Sequence, residues 1–320
     1  MDAEYRAVRE GGAGLIDLSA SRGRIRVSGS EATMFLNGLV TNDMKSLAQN
    51  RWMPAVFPTV QGRLIGAVRV IRGSEPGFLI DTETASHEAV LKTISRFTLA
   101  GDFKVSDVTS ETALLTVQGK GAAEVFEKVF ETGVSDLPDN GVLETPWQGV
   151  AVTILRASHT GEDGFDAVFA SRKAELQQAL ETAGAQPIGH NTFEILRVEA
   201  GIPRFGQDMD ETNVVPETNL DNAVSYTKGC YVGQEIIVRI KHRGHPAKKL
   251  TQLRFETDQQ VEPGAVILSK ENQEIGRVTS AVVSPARGSI GLGYVRYEHL
   301  ADGTRVVVGD GIEAIVGLNG

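Results

Sequence analysis

The chain has 320 residues, a formal charge of −9 and a single cysteine, with 41% apolar and 23% charged residues. That length predicts two or three compact units of ordinary globular composition, and one thiol excludes an internal disulfide. The acidic balance argues against a general nucleic-acid-binding surface; the charged Met1–Gly12 stretch lacks the apolar centre of a secretion signal, and no apolar run approaches the roughly 18 residues that cross a bilayer, so a cytoplasmic location is expected.

Residues Arg24–Gly29 alternate in strand fashion, and Ser30 is placed to cap a helix carrying Ala32, Phe35, Leu36 and Leu39. The same design returns further along: Leu114–Val117 as strand, Gly119 as turn, and Ala122, Val125, Phe126 and Val129 as a helix face. Val27 matches Val117, Gly29 matches Gly119 and Ala32 matches Ala122, which predicts two related strand–helix units in one α+β layer structure. Between them Trp52–Ile71 and Phe78–Asp81 read as strands and Thr84–Phe97 as a helix. Glu144–Val168 reads as strand, turn, strand, with the turn at His159–Phe165, and a helix follows over Arg172–Thr182. Asn191 and Glu194 make a capping-box pattern for a helix with Phe193, Leu196 and Val198, closed by Gly201. Glu199 falls in its last turn, where the negative carbonyl end of the dipole disfavours a carboxylate. A residue that breaks a local rule is a candidate for function, against the plain alternative of a solvated surface glutamate.

The stretch Lys228-Gly229-Cys230-Tyr231-Val232-Gly233-Gln234-Glu235 holds the only cysteine and precedes a predicted helix whose apolar face is Ile236, Ile237 and Ile240. Gln234 and Glu235 fall in its first turn, and Arg239, Lys241, His242 and Arg243 crowd its end, an order that suits the helix dipole. A thiol near such an N-terminus and near Lys228 is expected to ionise more readily than a free cysteine; the plain alternative is a small buried residue in a tight turn. The basic run Arg239–Lys249 is either a solvated helix end and linker or a landing site for a polyanion, such as a polyglutamylated folate tail or RNA phosphate. His242 and His245 lack further ligands at metal spacing, so no metal site is expected. After Lys249 six short β-rich runs follow, from Leu250–Phe255 to Ile312–Val316, separated by turns such as Pro263-Gly264 and Asp302-Gly303. They predict a small antiparallel barrel, and divide the chain into an α+β region over 1–246, in two interleaved subdomains, and a barrel over 247–320.

The octapeptide K-G-C-Y-V-G-Q-E resembles the signature of the YgfZ-type folate-binding proteins, relatives of the glycine-cleavage T-protein (aminomethyltransferase), several of which assist iron–sulfur enzymes or tRNA modification. Gly23–Gly29, Thr41-Asn42-Asp43, the hairpin Thr160-Gly161-Glu162-Asp163-Gly164-Phe165, Gly276–Ser280 and Ile290–Val295 are similar to segments of the same family. The resemblance implies a T-protein-like folate-binding body with a C-terminal barrel packed against it. It implies tetrahydrofolate, or a one-carbon derivative, as the bound cofactor. It makes Glu199, in the E-A-G motif, the residue that holds the pterin, whose 2-amino group and N3–H suit one carboxylate. Lys228, Arg239 and Gln234 are the further folate-side candidates, and Cys230 is the reactive or cluster-contacting thiol.

One departure bears on activity. T-proteins carry paired aspartates where this chain has Gly66-Ala67, so no carboxylate stands there to move a proton at a folate amine. The sequence therefore leans away from an enzyme, towards a folate-binding accessory protein supporting assembly or repair of iron–sulfur enzymes. The alternative is a folate-dependent aminomethyltransferase or demethylase.

Overall fold

The computed structural model describes residues 2–99 and 101–317 of the chain. Its helices are α1 (Asp2–Arg9), α2 (Ala32–Leu39), α3 (Thr84–Ser95), α4 (Ala122–Phe130), α5 (Lys173–Thr182), α6 (His190–Glu199) and α7 (Gln234–Arg243). The strands form two open sheets and one closed barrel. In the first sheet the order is Gln186–Pro187, Gly14–Asp17, Ala113–Gln118, Gly164–Phe169, Val150–Arg156, Val142–Trp147. In the second it is Arg51–Pro58, Leu64–Arg72, Phe78–Glu83, Arg22–Ser28, Lys104–Asp107.

The internal repeat is realised as one strand–turn–helix unit in each sheet. Arg22–Ser28 leads through Gly29 into α2, which buries Ala32, Leu36 and Leu39; Ala113–Gln118 leads through Gly119 into α4, which buries Ala122, Val125, Phe126 and Phe130. Both glycines take a positive φ, +114° and +122°, and a Cβ on either would press into a backbone carbonyl, Asp102 O at 2.1 Å or Gly12 O at 2.5 Å. That shared constraint explains why the repeat retains glycine at both places. Ser30 does not cap α2: its hydroxyl donates to Asp102, and the N-cap is Glu31 without a side-chain cap bond.

The predicted capping box at α6 also fails to form. Gly189 is the N-cap, and Glu4 of α1 satisfies the helix start instead, accepting from the Gly189 N–H at 3.0 Å and the Thr192 hydroxyl at 2.5 Å. Glu144–Val168 contains one more hairpin than predicted, turning at Gln148-Gly149 between Val142–Trp147 and Val150–Arg156. The C-terminal strands close in the order Lys248–Phe255, Gly288–Arg296, Glu274–Ser284, Val266–Leu268, Arg305–Val308, Ile312–Val316. This is the expected α+β body with an antiparallel barrel.

Leu253, Ile267, Val278, Val295 and Val308 fill the barrel with apolar side chains. Its outer wall, through Leu250, Val282, Ile290, Leu292 and Tyr294, joins Phe193, Leu196 and Val198 of α6 in a second core that also takes in Ile71 and Leu155 from the two sheets. The segment between α6 and α7 crosses the middle of the molecule. Its Phe205, Met209, Val215 and Tyr231 pack on Val56 and Leu64 of the second sheet. Among the described residues no helix is long and apolar enough to cross a membrane.

Candidate functional site at the junction of the two sheets and the barrel

Period-two alternation places Arg22, Arg24 and Arg26 on one face of their strand, in a chain stretch whose other face is apolar. Arg22 donates to Asp81 at 3.0 and 2.5 Å and to Glu83 at 2.7 Å. Arg69, on the neighbouring strand Leu64–Arg72, donates to Asp81 at 2.6 Å and crosses to the other sheet to reach Asp166 at 2.6 Å. His159 Nε2 then lies 3.0 and 3.1 Å from the two oxygens of Asp166. Both aspartates are fully buried. Burial alone would raise their pKa values, but Arg22 and Arg69 around Asp81, and His159 and Arg69 around Asp166, override it and hold both carboxyls below the usual carboxylate range. The two sheets thus meet across a seam of fixed charges.

A second knot joins this seam to the barrel. Glu199 is buried, 4% exposed, at the end of α6. One of its oxygens accepts from the Tyr5 hydroxyl at 2.8 Å and from the Ser284 hydroxyl of the barrel; the other accepts from Arg9 Nε at 3.0 Å and Nη2 at 2.7 Å. Arg9 also donates to the Thr160 carbonyl at 3.0 Å and to Glu162 at 3.1 Å, which ties the Thr160–Phe165 hairpin to the same point. The carboxylate that breaks the dipole rule is therefore neither solvated nor open: a guanidinium and two hydroxyls from the chain itself already fill its acceptor positions. Nearby, Arg197 binds Glu194 and Asp208, and Asp208 accepts from Thr279 and Ser280 of the barrel at 2.6 Å each.

The octapeptide lies elsewhere on the junction. Lys228 is buried, and its ammonium donates to the carbonyls of Asn37, Val40 and Asn42 at 2.6, 2.8 and 2.7 Å, pinning the loop to the turn after α2. Burial pushes its pKa down to about 8, against the opposing pull of Asp43. Cys230 is exposed. It precedes α7 across a short loop, as expected, with Gly233 as the N-cap, and the ammonium of Lys228 is bound to backbone oxygens. Gln234 opens α7, and Arg239 forms an exposed pair with Glu235 at 3.3 Å. Among the contacts of the described residues, no hydrogen bond or ion pair connects Lys228, Gln234, Arg239 or Cys230 to one another or to Glu199. Within the basic run, Lys249 pairs with Asp221 at 3.4 Å, the His245 ring stacks on Tyr297 at 3.5 Å, and Lys248 lies over the Tyr294 ring.

Two cavities flank the seam. One of about 570 Å³ opens between the sheets, lined by Arg26, Phe78, Leu79, Thr112, Glu144 and Phe169. The other, about 460 Å³, is lined by Asn42, Arg51, Trp52, Pro54, Asn140 and Asn222, and its Trp52 ring carries the Arg69 guanidinium 5.6 Å from its centre. At the junction the hydroxyls of Tyr231 and Tyr294 are buried without a hydrogen-bond partner among the described residues; burial pushes Tyr231 up to about 12. A buried phenol without a partner is a polar group that a ligand can satisfy.

Sequence reasoning missed Tyr5, Arg9, Arg69, Asp81, His159 and Asp166 as members of one constellation. Their signal was present in part, as charged residues interrupting apolar strands, but the partners lie up to 194 positions apart.

Residues 1–228 match the GCVT N-terminal domain, and residues 248–313 match the glycine cleavage T-protein C-terminal barrel domain. A protein of Rubrobacter xylanophilus named aminomethyltransferase is 33% identical over 92% of this chain and 78% of its own length. One of the same name from Thermoanaerobacter pseudethanolicus is 28% identical over 96% of this chain and 84% of its own. The crystal structure of glycine cleavage system aminomethyltransferase T from Bartonella henselae superposes with a TM-score of 0.90 at 23% identity, covering 98% of this chain and 87% of that one.

Proposed function

The chain belongs to the glycine cleavage T-protein (GCVT) family, and from that premise we propose that it handles one-carbon units on tetrahydrofolate, with aminomethyl transfer as the reading its relatives favour. Relatives named aminomethyltransferase span nearly all of the chain, body and barrel together. The observation in the molecule that carries the proposal is the Glu199 knot. A buried carboxylate stands where the two sheets and the barrel converge, bound to a guanidinium through paired N–H groups. The 2-amino and N3–H edge of a pterin offers a comparable donor pair. In this reading Glu199 holds the pterin after Arg9 gives way to its other acceptors, Glu162 and the Thr160 carbonyl. The unpartnered Tyr231 hydroxyl is a further polar group for such a ligand; in this reading Gln234 and the exposed Arg239 serve the folate tail, and Lys228, held by three carbonyls, fixes the loop before them. When bound, tetrahydrofolate supplies the nucleophilic amine that accepts the carbon. The working unit is the body, 1–246, with the barrel, 247–320, closing on it.

Titration calorimetry with tetrahydrofolate tests the binding half of this reading. Glu199→Gln is expected to weaken affinity by about 1.5–3 kcal/mol, the worth of a charge-assisted bond. The transfer half is tested by methylene-tetrahydrofolate formation from an aminomethylated lipoyl carrier protein, beside an authentic T-protein.

A second reading rests on two residues. Ala67 provides no carboxylate where one is expected, and Cys230 stands exposed on the K-G-C-Y-V-G-Q-E loop. Together they support a YgfZ-type accessory role towards iron–sulfur enzymes, in which folate is bound and the thiol acts on the client. Folate binding without transfer, and loss of client activity in Cys230→Ser, is the outcome that favours it.

A further inference from the structure

Residues 67 and 69 share a face of the strand Leu64–Arg72, because Val68 and Val70 between and beyond them are buried in the core behind α3. On that shared face residue 67 offers only a methyl, but residue 69 is an arginine that reaches Asp166, and Asp166 holds His159. Asp81 and Asp166 are fully buried and bound to guanidinium groups, which removes them as proton acceptors near neutral pH. His159 differs from both. Its side chain is 15% exposed, and no hydrogen bond among the described residues occupies its Nδ1. Asp166 receives Nε2–H, which leaves Nδ1 as the lone-pair nitrogen of the neutral tautomer. The ring is fixed from two sides: Phe193 of α6 packs on it with centroids 6.0 Å apart, and its own backbone N–H donates to Gln118 at 2.8 Å.

We propose that His159, tautomer-locked by Asp166 and backed by Arg69, is the proton-carrying group of the one-carbon site, replacing in function the carboxylate that residue 67 lacks. The proposal rests on the tetrahydrofolate reading above. His159 Nδ1 takes the N–H proton of the attacking folate amine as that nitrogen's lone pair closes a bond to the transferred carbon. It then returns the proton to the atom that departs with the electron pair of the breaking bond. Asp166 stabilises the imidazolium in between, as a buried carboxylate on the distal nitrogen does in other acid–base pairs. Other charges around the ring belong to Arg69 and Asp81 beyond Asp166, to Glu162 on its own hairpin with Arg9 of α1, and to the Arg156–Asp163 pair of that hairpin.

The test uses the full chain and tetrahydrofolate itself. With six histidines in the sequence, the His159 Cε1–H resonance is assignable by comparison with His159→Gln. Saturating tetrahydrofolate is expected to shift that resonance. In the transfer assay His159→Asn is expected to bind tetrahydrofolate as the native protein does, yet to lose about 10²–10⁴ in rate, together with the acid limb of the pH profile. Calorimetric binding with an unmoved His159 resonance overturns the proposal and leaves the folate reading standing, as does a native rate in His159→Asn. Absence of any heat from tetrahydrofolate overturns the folate reading, and this proposal with it. The resonance is followed in the native chain and needs only His159→Gln for its assignment, so failure of His159→Asn to fold does not blunt the test.

Discussion

The barrel core and the inter-sheet seam solve the same problem, burial of facing surfaces, with opposite chemistry. Leu253, Ile267, Val278 and Val308 close the barrel with side chains that need only the right volume and face. The seam buries Asp81 and Asp166 completely and requires Arg22, Arg69 and His159 at one set of positions. Apolar residues of similar size would hold two sheets together at least as well, since desolvating ions commonly offsets their mutual attraction. A charged layer is thus a poor choice for adhesion alone. It makes sense as an electrostatic environment kept at fixed geometry, which is what a reacting centre needs.

The contrast can be broken most sharply at Asp81. Asp81→Ala leaves the buried Arg69 and the half-buried Arg22 without their shared partner, and is expected to cost about 3–5 kcal/mol in urea unfolding monitored by circular dichroism; a loss under about 1 kcal/mol would mean that the seam is solvated. Ile267→Val in the barrel is expected to cost about 0.5–1.5 kcal/mol, the price of one methylene in a tolerant core. Acid separates the regions without mutation. Asp81 and Asp166 have folded pKa values below their unfolded ones, so their stabilisation is complete above the ordinary carboxylate range, near pH 4, and is lost as pH falls through the folded values. Tryptophan emission should follow this loss, because Trp52 lies against Arg69, whereas the barrel core holds no titrating group among the residues that fill it. The smallest effect is expected at Arg239→Ala, within about 0.5 kcal/mol, because its pair with Glu235 is exposed and screened.

The two regions also differed in how far they could be read in advance. The barrel was legible strand by strand, since alternation and turn pairs such as Asp302-Gly303 are local signals; Arg305–Val308 and Ile312–Val316 form as expected. The repeat was legible for the same reason, being a strand, a glycine and an amphipathic helix in succession. The junction was not. Glu199 stood out only as a misfit, and its partners Tyr5, Arg9 and Ser284 come from the first helix and the barrel. Glu194 looked like half of a capping box, but Arg197 and Arg204 draw its carboxylate away from the helix start. Lys228 looked like a neighbour for the thiol, and three carbonyls distant in sequence claimed it. In each case a local rule lost to a tertiary partner that no window of sequence contains.

The attachment of α1 to Glu199 sets an order on biosynthesis. An eight-residue helix is marginal alone in water, and the acceptor for Arg9 lies 190 residues downstream. At ribosomal speeds of about 5–20 residues per second, the N-terminal segment waits roughly 10–40 s before Glu199 has been made, and longer for Ser284 in the barrel. Residues 2–9 are thereby among the last to settle, and a bulky group attached to α1 is expected to hinder this late docking.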